Sequence, residues 1–346
     1  MAHDESSCDR EFLCLSDLSN RDITWKVVKP QSQMIANAYA GTAYDKYFER
    51  MSSCGGWLRF ALVPTESGEV VHKLQSAHFC HVRHCPICQW RRSLMWRARV
   101  FRVMPRIIAD YLGKRFVYLT LTVRNCEIDQ LGETLTHMSE SWQRLSQRKQ
   151  FPALGWLRTT EVTRGKDGTA HPHFHALLMV NSNYFKKHYI SQKKWIELWR
   201  ESLRVEYDPS VRVNVVKPRS KPNTDTSVSK LDSDCQSTIQ PLDEELVKAI
   251  RYTLKYSTKP DDFLSLDTSV SQDLSEFQDW LVSVTDQLHK RRMIALGGAF
   301  KKYMSEVESS NLIVDDASTD TSETQDEDIR ITYVWRDEVV DYLMAA

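Results

Sequence analysis

Histidines occupy every second position of one apolar stretch, HPHFHALLMV, at His171, His173 and His175. Side chains two residues apart on a β-strand point to the same face. His173 and His175 can therefore reach one metal ion, while Phe174 points into the core. Because imidazole is the most common metal ligand in proteins, this pattern predicts a metal site. The alternative is a set of surface histidines on a half-exposed strand.

A glutamate in the preceding apolar segment supplies a third candidate ligand. The segments GWLRTTEVT and PHFHALLMV flank GKDG, a turn signal, so they are predicted to form a β-hairpin. With the turn centred near Asp167, Glu161 falls opposite His173. Two imidazoles and a carboxylate suit Mn²⁺ or Mg²⁺ bound to phosphate oxygens. This ligand depends on the register, since a slip of one residue would turn Glu161 to the other face.

A second candidate site lies upstream, where three cysteines fall within nine residues as Cys80, Cys85 and Cys88. Structural zinc prefers four sulfur or nitrogen ligands in a tetrahedral array. Cys54 is the best fourth ligand, with His78, His81 and His84 as alternatives. Zinc would brace a small module that lacks much core. Buried cysteines without a metal are the other interpretation, and a redox pair is disfavoured because no thioredoxin-like βαβ pattern surrounds them.

Strands and helices alternate through the middle of the chain, which predicts an α+β fold. The predicted strands are 115–123, 155–163, 172–180 and 211–216, and the predicted helices are 127–148 and 192–203. Pro241 is expected to open another helix, PLDEELVKAIRYTLKY, and residues 271–293 a further one. The final YVWRDEVVDYL is interpreted as a short terminal helix.

The segment after the cysteines, residues 89–111, is predicted to be a helix interrupted near Pro105. It carries no acidic residue before Asp110 but has arginines at Arg91, Arg92, Arg97, Arg99, Arg102 and Arg106. This charge pattern favours a helix that faces DNA phosphates. A solvated amphipathic helix is the alternative.

Charge is distributed unevenly, although the net charge of the 346 residues is zero. Residues 305–346 contain 12 acidic and 2 basic residues, so residues 1–304 carry 44 basic against 34 acidic residues. This asymmetry is typical of a DNA-binding domain followed by an acidic tail. The polar, acidic N-terminus does not resemble a secretory signal, and no apolar run approaches a membrane span of about 20 residues. A cytoplasmic location with no membrane partner is therefore expected.

These patterns predict four regions along the chain. Residues 1–50 give weak signals and are expected to be partly disordered, and 51–111 form the zinc module with the arginine-rich helix. Residues 112–304 form the sheet domain, with a polar mobile insertion at 218–240. Residues 305–346 are expected to be an acidic, largely disordered tail.

Three motifs together resemble the HUH endonuclease superfamily, in the form found in rolling-circle plasmid replication initiators. HPHFHALL is similar to the His–hydrophobic–His motif, FVYLTLTV to the first motif, and YTLKYSTKPDD to the third, which carries a nucleophilic tyrosine. CHVRHCPICQWRRS and RRMIALGGAFKK also resemble these initiators, so the matches cover roughly residues 54–303. The resemblance implies an HUH-type antiparallel sheet with helices, carrying a small upstream zinc-binding module.

The resemblance also assigns roles around the third motif. Tyr256 matches the nucleophile and Lys259, one helical turn away, would stabilise its phenolate. Several initiators have a water-activating glutamate four residues before this tyrosine, where this chain has Tyr252. Tyr252 is either a second nucleophile, as in phage initiators with paired tyrosines, or a packing aromatic.

The predicted function is therefore nicking and joining of one DNA strand at a plasmid origin through a 5′-phosphotyrosine intermediate. Mn²⁺ or Mg²⁺ would serve in catalysis and Zn²⁺ in structure, with a host helicase and polymerase as partners besides DNA. The alternatives are an HUH transposase or relaxase, or a non-catalytic zinc-containing DNA-binding regulator.

Overall fold

The computed structural model describes residues 14–18, 22–64, 68, 70–165, 167–217, 242–254, 271–306 and 329–345. The predicted insertion 218–240 lies outside these ranges. The chain divides into two compact units, one of residues 1–40, 45–88 and 310–346, the other of 41–44 and 89–309. Helices accompany an antiparallel sheet in each unit, which confirms the α+β prediction.

The first unit combines N-terminal helices with a four-stranded sheet. The helices are α1 (Leu15–Leu18), α2 (Ile23–Asn37) and α3 (Asp45–Ser52). The strands are β1 (Trp57–Pro64), β2 (Val70–Ala77), β8 (Arg330–Arg336) and β9 (Asp341–Met344), in the order β2-β1-β8-β9. Leu58, Phe60 and Tyr333 are buried on one face of this sheet. Trp25 of α2 packs against Tyr342 of β9 and closes this core.

The C-terminal residues correct two predictions. The segment interpreted as a terminal helix forms β8 and β9 around a turn at 337–340, and residues 329–345 are ordered rather than part of a disordered tail. The physical reason is a period of two, since Tyr333 and Trp335 are both buried while Arg330 and Arg336 at the strand ends are exposed. A helical interpretation of so short an apolar segment misses that alternation.

The second unit is built on a five-stranded antiparallel sheet of order β6-β3-β5-β4-β7. Its strands are β3 (Arg115–Thr122), β4 (Ala153–Arg164), β5 (Ala170–Val180), β6 (Val211–Val216) and β7 (Ile294–Gly297). A 3₁₀ turn spans Ile128–Gln130, and the helices are α4 (Pro86–Asp110, whose first residues belong to the first unit), α5 (Leu131–Ser146), α6 (Tyr184–Lys187), α7 (Gln192–Leu203), α8 (Glu244–Thr253), α9 (Ser271–Gln287) and α10 (Gly298–Met304).

The core of the second unit lies on both faces of this sheet. On one face, Phe174 packs against Trp142 of α5 and Trp199 of α7. On the other, Leu157 and Leu177 join a buried cluster with α4, α8 and α10. His173 and His175 share this second face, because they lie four and two residues before Leu177 on β5.

Helix α4 runs unbroken from Pro86 to Asp110, so the predicted interruption near Pro105 is wrong. Proline within a helix removes one backbone hydrogen bond and strains the preceding turn. The side chains around it, Val103, Met104 and Ile107, are all buried in the core of the second unit. Their burial offsets the cost of the proline.

Candidate active site

The hairpin of β4 and β5 places Glu161 directly opposite His173, the register that the sequence predicted. On the other side of β5, strand β3 places Thr120 opposite His175 and Thr122 opposite His173. Residues directly opposite each other share a face of the sheet. The two histidines are therefore bracketed by a carboxylate from one neighbouring strand and hydroxyls from the other.

The three predicted ligands converge on one point. The Glu161 Oε2 atom lies 2.9 Å from His173 Nε2 and 2.6 Å from His175 Nε2. Glu161 is 4% exposed and His175 6% exposed, so the cluster is largely withdrawn from water. Burial raises the pKa of the Glu161 carboxyl, but hydrogen bonds and charge from the two histidines outweigh it and hold that pKa below its usual range.

This donor set fits a divalent cation. One candidate atom from each residue lies within 4.8 Å of the others, close enough to bind a single ion. Glu161 is held as the carboxylate that a metal requires, and both Nε2 atoms face it. Glu161, His173 and His175 could thus hold one ion, with mixed nitrogen and oxygen donors that suit Mn²⁺ or Mg²⁺.

Tyr118 is a site residue that the sequence analysis did not single out. Its hydroxyl is hydrogen-bonded to His175 Nδ1, and the two rings are stacked with centroids 5.8 Å apart. The Thr120 hydroxyl lies 3.3 Å from the same nitrogen. Burial raises the pKa of Tyr118, so its phenol remains protonated. The sequence did contain one signal, since Tyr118 and Thr120 are two residues apart on β3 and so share a face of the strand. Their contact with His175 could be recognised only once β3 was known to pair with β5.

Tyr252 lies on α8 beside the cluster and is 45% exposed. Its ring centroid is 5.5 Å from that of His175 and 5.1 Å from that of Tyr118. The Thr159 hydroxyl of β4 donates a hydrogen bond of 2.7 Å to the Thr253 carbonyl and ties the end of α8 to the sheet. Lys255, Tyr256 and Lys259 lie outside the described residues, so their predicted roles stay predictions.

The four predicted cysteines form a second buried cluster, in the first unit. Sulfur–sulfur distances are 3.8 Å for Cys54–Cys88, 3.6 Å for Cys80–Cys88 and 3.6 Å for Cys54–Cys85. Zinc–sulfur bonds of about 2.3 Å in a tetrahedron require sulfurs about 3.8 Å apart, so the cluster fits zinc. The alternative ligands His78, His81 and His84 are not part of this group.

Helix α2 supports the cysteine cluster. This role was not predicted, because residues 1–50 give only weak signals in the sequence. The buried Lys29 donates hydrogen bonds to the carbonyls of Cys54, at 2.9 Å, and Ser52, at 3.2 Å. The Ser32 hydroxyl lies 3.3 Å from Cys85 Sγ. Burial raises the pKa of Cys85, but hydrogen bonds from the other cysteines and Ser32 outweigh it and lower that pKa, which favours the thiolate a metal binds.

The arginines of α4 differ in their surroundings. Arg102 and Arg106 are exposed, but Arg106 pairs with Glu306 at 2.6 Å. The Arg99 guanidinium lies 4.9 Å from the centroid of the Trp96 ring. The helix therefore presents the exposed Arg102 as well as Arg106, whose charge is partly neutralised by Glu306. Among the described residues, no helix has the length and apolar character to cross a membrane.

The fold and the two clusters define an α+β protein with two possible metal sites, one of nitrogen and oxygen donors and one of thiolates. A family model described as replication protein matches residues 71–343. The chain belongs to this family, and it is a plasmid replication initiator.

Curated relatives named "Protein rep" match most of the chain. One from Bacillus amyloliquefaciens is 32% identical over 316 residues, 87% of each protein. One from Streptococcus pneumoniae is 29% identical over 91% of this chain and 90% of its own length. One from Lentilactobacillus hilgardii is 29% identical over 94% of each. No solved structure matches the chain significantly.

Proposed function

We propose that this initiator nicks and rejoins one strand of a plasmid origin by rolling-circle chemistry of the HUH type. The observation that carries the proposal is the convergence of Glu161, His173 and His175 on one point, next to the exposed ring of Tyr252. A phosphate-bound cation at such a point and a tyrosine at its edge are what strand transfer requires.

The three ligands would hold Mn²⁺ or Mg²⁺, which supplies Lewis-acid polarisation of the scissile phosphate. The Tyr256 phenolate oxygen forms a bond to phosphorus while the bond from phosphorus to the 3′ oxygen breaks. The product is a 5′-phosphotyrosine and a free 3′-hydroxyl, once that leaving oxygen takes up a proton. Lys259 stabilises the phenolate before attack.

Tyr118 is a positioning residue in this scheme. A neutral imidazole that offers its Nε2 lone pair to a metal carries its proton on Nδ1. At His175 that N–H donates to the Tyr118 or Thr120 oxygen, the two groups near Nδ1. Such partners fix the tautomer and orientation of a ligand and commonly change metal affinity 10–100-fold.

Tyr252 is proposed as the second nucleophile, which accepts the strand in the closing transfer. Its exposure and its place against His175 favour this role over simple packing. Tyr252 and Tyr256 are only four residues apart in the sequence. The strand can then move between two phenols at one metal site.

The remaining parts of the proposal concern DNA and partners. Zinc on Cys54, Cys80, Cys85 and Cys88 serves structure, and the arginines of α4 contact duplex phosphates at the origin. The new 3′-hydroxyl primes a host polymerase while a host helicase separates the strands, which places the reaction in the cytoplasm.

The deciding experiment is cleavage of a single-stranded oligonucleotide from the plasmid origin, with covalent protein–DNA adduct measured on a denaturing gel. We expect adduct with Mn²⁺ or Mg²⁺, none in excess chelator, and recovery when the ion is restored. A DNA-binding regulator would give no adduct under any condition. A transposase or relaxase would cleave its own element ends or transfer origin and leave the replication origin intact.

A further inference from the structure

The sheet of the first unit has an outer face that the nicking scheme does not use. Trp57 and Arg59 of β1, with Thr332 and Val334 of β8, line a shallow surface cavity, open to solvent, of about 600 Å³ together with Ser53, Gly56 and His78. On the opposite face of the same strands, Leu58, Phe60 and Tyr333 are buried in the core. We call the outer residues the Trp57 face.

Trp57 does not contribute to the core. It is 37% exposed, whereas its neighbour Leu58 is fully buried and points the other way. A tryptophan left on a sheet surface exposes apolar area to water, unless another ring or an apolar group covers it. Nucleobases are natural partners because a base stacked on an indole buries both flat surfaces.

The charge of the Trp57 face suits a nucleic acid. The Arg59 guanidinium lies 5.8 Å from the Trp57 ring centroid. Among the described residues, no carboxylate forms an ion pair with this guanidinium. His78 and the Ser53 hydroxyl add polar groups, and none of the described residues that line the cavity is acidic. An aromatic surface next to an unneutralised arginine binds a base and the adjoining phosphate together.

The floor of the cavity is held by backbone contacts. Gly55 N donates to the His78 carbonyl at 2.8 Å, and Trp335 N donates to the Gly56 carbonyl at 2.9 Å. Gly55 has a φ of +61°, and a Cβ there would lie 2.9 Å from Ile87. Because this loop follows Cys54, a metal on the cysteines would rigidify the cavity floor as well.

We propose that the Trp57 face binds single-stranded DNA, with one base stacked on Trp57 and a neighbouring phosphate against Arg59. Bases in a duplex are already stacked on each other, so the indole can reach a base only in an unpaired strand. The site consists of other residues than those proposed to nick DNA. It gives the initiator a second binding site for the unpaired strand of an opened origin.

The test is fluorescence anisotropy of a labelled, unstructured oligonucleotide with the full chain in its zinc-loaded form, at several salt concentrations. We expect Trp57→Ala to weaken single-strand binding about 5- to 100-fold and Trp57→Phe to retain most of it. Arg59→Gln should weaken binding and reduce the salt slope by about 0.7, as for one lost phosphate contact. Val70→Ala and Lys46→Gln, exposed positions of the same unit, serve as matched controls.

Thermal denaturation and zinc content identify any variant that fails to fold, in which case Trp57→Phe and Arg59→Gln decide. Wild-type single-strand affinity in folded Trp57→Ala and Arg59→Gln would overturn the proposal. So would a loss restricted to duplex DNA, or a loss of a protein partner with DNA binding intact. The losses predicted for Trp57→Ala and Arg59→Gln are expected also without added Mn²⁺ or Mg²⁺, where the scheme gives no nicking, which separates this outcome from failure of the nicking scheme.

Discussion

At the residue scale, a histidine becomes a defined metal ligand when both of its ring nitrogens have partners. His175 has Glu161 at Nε2 and Tyr118 with Thr120 at Nδ1. His173 has the same carboxylate at Nε2 and the His171 carbonyl 3.3 Å from Nδ1. Each Nδ1 therefore has an oxygen that can accept its proton, which leaves Nε2 free for coordination.

Tyr118→Phe should weaken Mn²⁺ binding about 10-fold or more without unfolding the protein, because phenylalanine keeps the stacked ring and loses only the hydroxyl. Calorimetric titration with Mn²⁺ measures the affinity. Tyr184→Phe is a matched control, since Tyr184 is a buried tyrosine outside the ligand group and is hydrogen-bonded to Ile190 and Trp195. Equal Mn²⁺ affinity in Tyr118→Phe and wild type would contradict the positioning role.

His173→Ala and His175→Ala should each abolish nicking while far-UV circular dichroism stays unchanged. The physical reason is that each change removes one of the three metal ligands, while neither histidine belongs to the buried apolar cluster of this unit. The control is His171→Ala, because His171 is outside the ligand group, and it should retain activity. Full cleavage by either ligand variant would exclude this metal site from the chemistry.

The roles of Tyr252 and Tyr256 are distinguished by Tyr→Phe variants, which keep the aromatic ring and remove only the hydroxyl. Tyr256→Phe should eliminate the covalent adduct, whereas Tyr252→Phe should form it and fail in the closing transfer that releases circular product. Peptide mapping of the adduct identifies the attached residue. DNA found on Tyr252 alone would reverse the assignment, and normal closure by Tyr252→Phe would reduce Tyr252 to packing against Tyr118 and His175.

At the element scale, each candidate site depends on contacts between segments distant in sequence. The metal ligands come from one hairpin, but β3 supplies their hydrogen-bonding partners and α8 the adjoining tyrosine. The cysteine cluster joins the start of α4 to the loop after α3, with α2 packed behind it. Loss of one element should therefore disable a whole site.

Freshly purified protein should contain about one zinc per chain, and Cys85→Ser should lose both the zinc and the order of the first unit. The reason is that structural zinc needs four ligands, and a serine hydroxyl does not replace the Cys85 thiolate in this buried cluster. Elemental analysis and thermal denaturation provide the two readouts. Cys126→Ser, at a partly exposed cysteine of the second unit, should leave zinc unchanged. Zinc-free protein of native stability would refute the assignment.

At the scale of the whole molecule, strands about 270 residues apart in the sequence form one sheet, because β8 pairs with β1 and β9 with β8. A variant that ends at residue 306 should therefore lose the first unit, although the acidic composition suggests a dispensable tail. Removal takes away Tyr333, Trp335 and Tyr342, buried aromatics worth about 3–5 kcal/mol each when truncated.

The matched control keeps the full chain length and both strands and replaces Asp315, Asp316 and Asp320 with Asn, and it should leave stability unchanged. Limited proteolysis and zinc content measure the integrity of the first unit. Native zinc content in the variant ending at residue 306 would show that β8 and β9 are not needed for that unit.

The sequence by itself determined the local parts of this protein. Alternation in HPHFHALLMV and the GKDG turn predicted a hairpin with Glu161 opposite His173, and the cysteine spacing predicted the cluster with Cys54. Helix 192–203 and strand 211–216 were predicted to the residue. These features depend on periodicity and short-range turns, which are encoded within a few neighbouring residues.

Tertiary structure alone decided which distant segments meet. The sequence of β3 carries no signal that identifies β5 as its pairing partner. The contact of Tyr118 with His175 could therefore not be predicted in advance. The final strands were mistaken for helix and disordered tail because β8 pairs with β1, which lies about 270 residues away in the sequence, and β9 pairs with β8. A short segment is stable as a strand only when such a partner satisfies its backbone and buries its face.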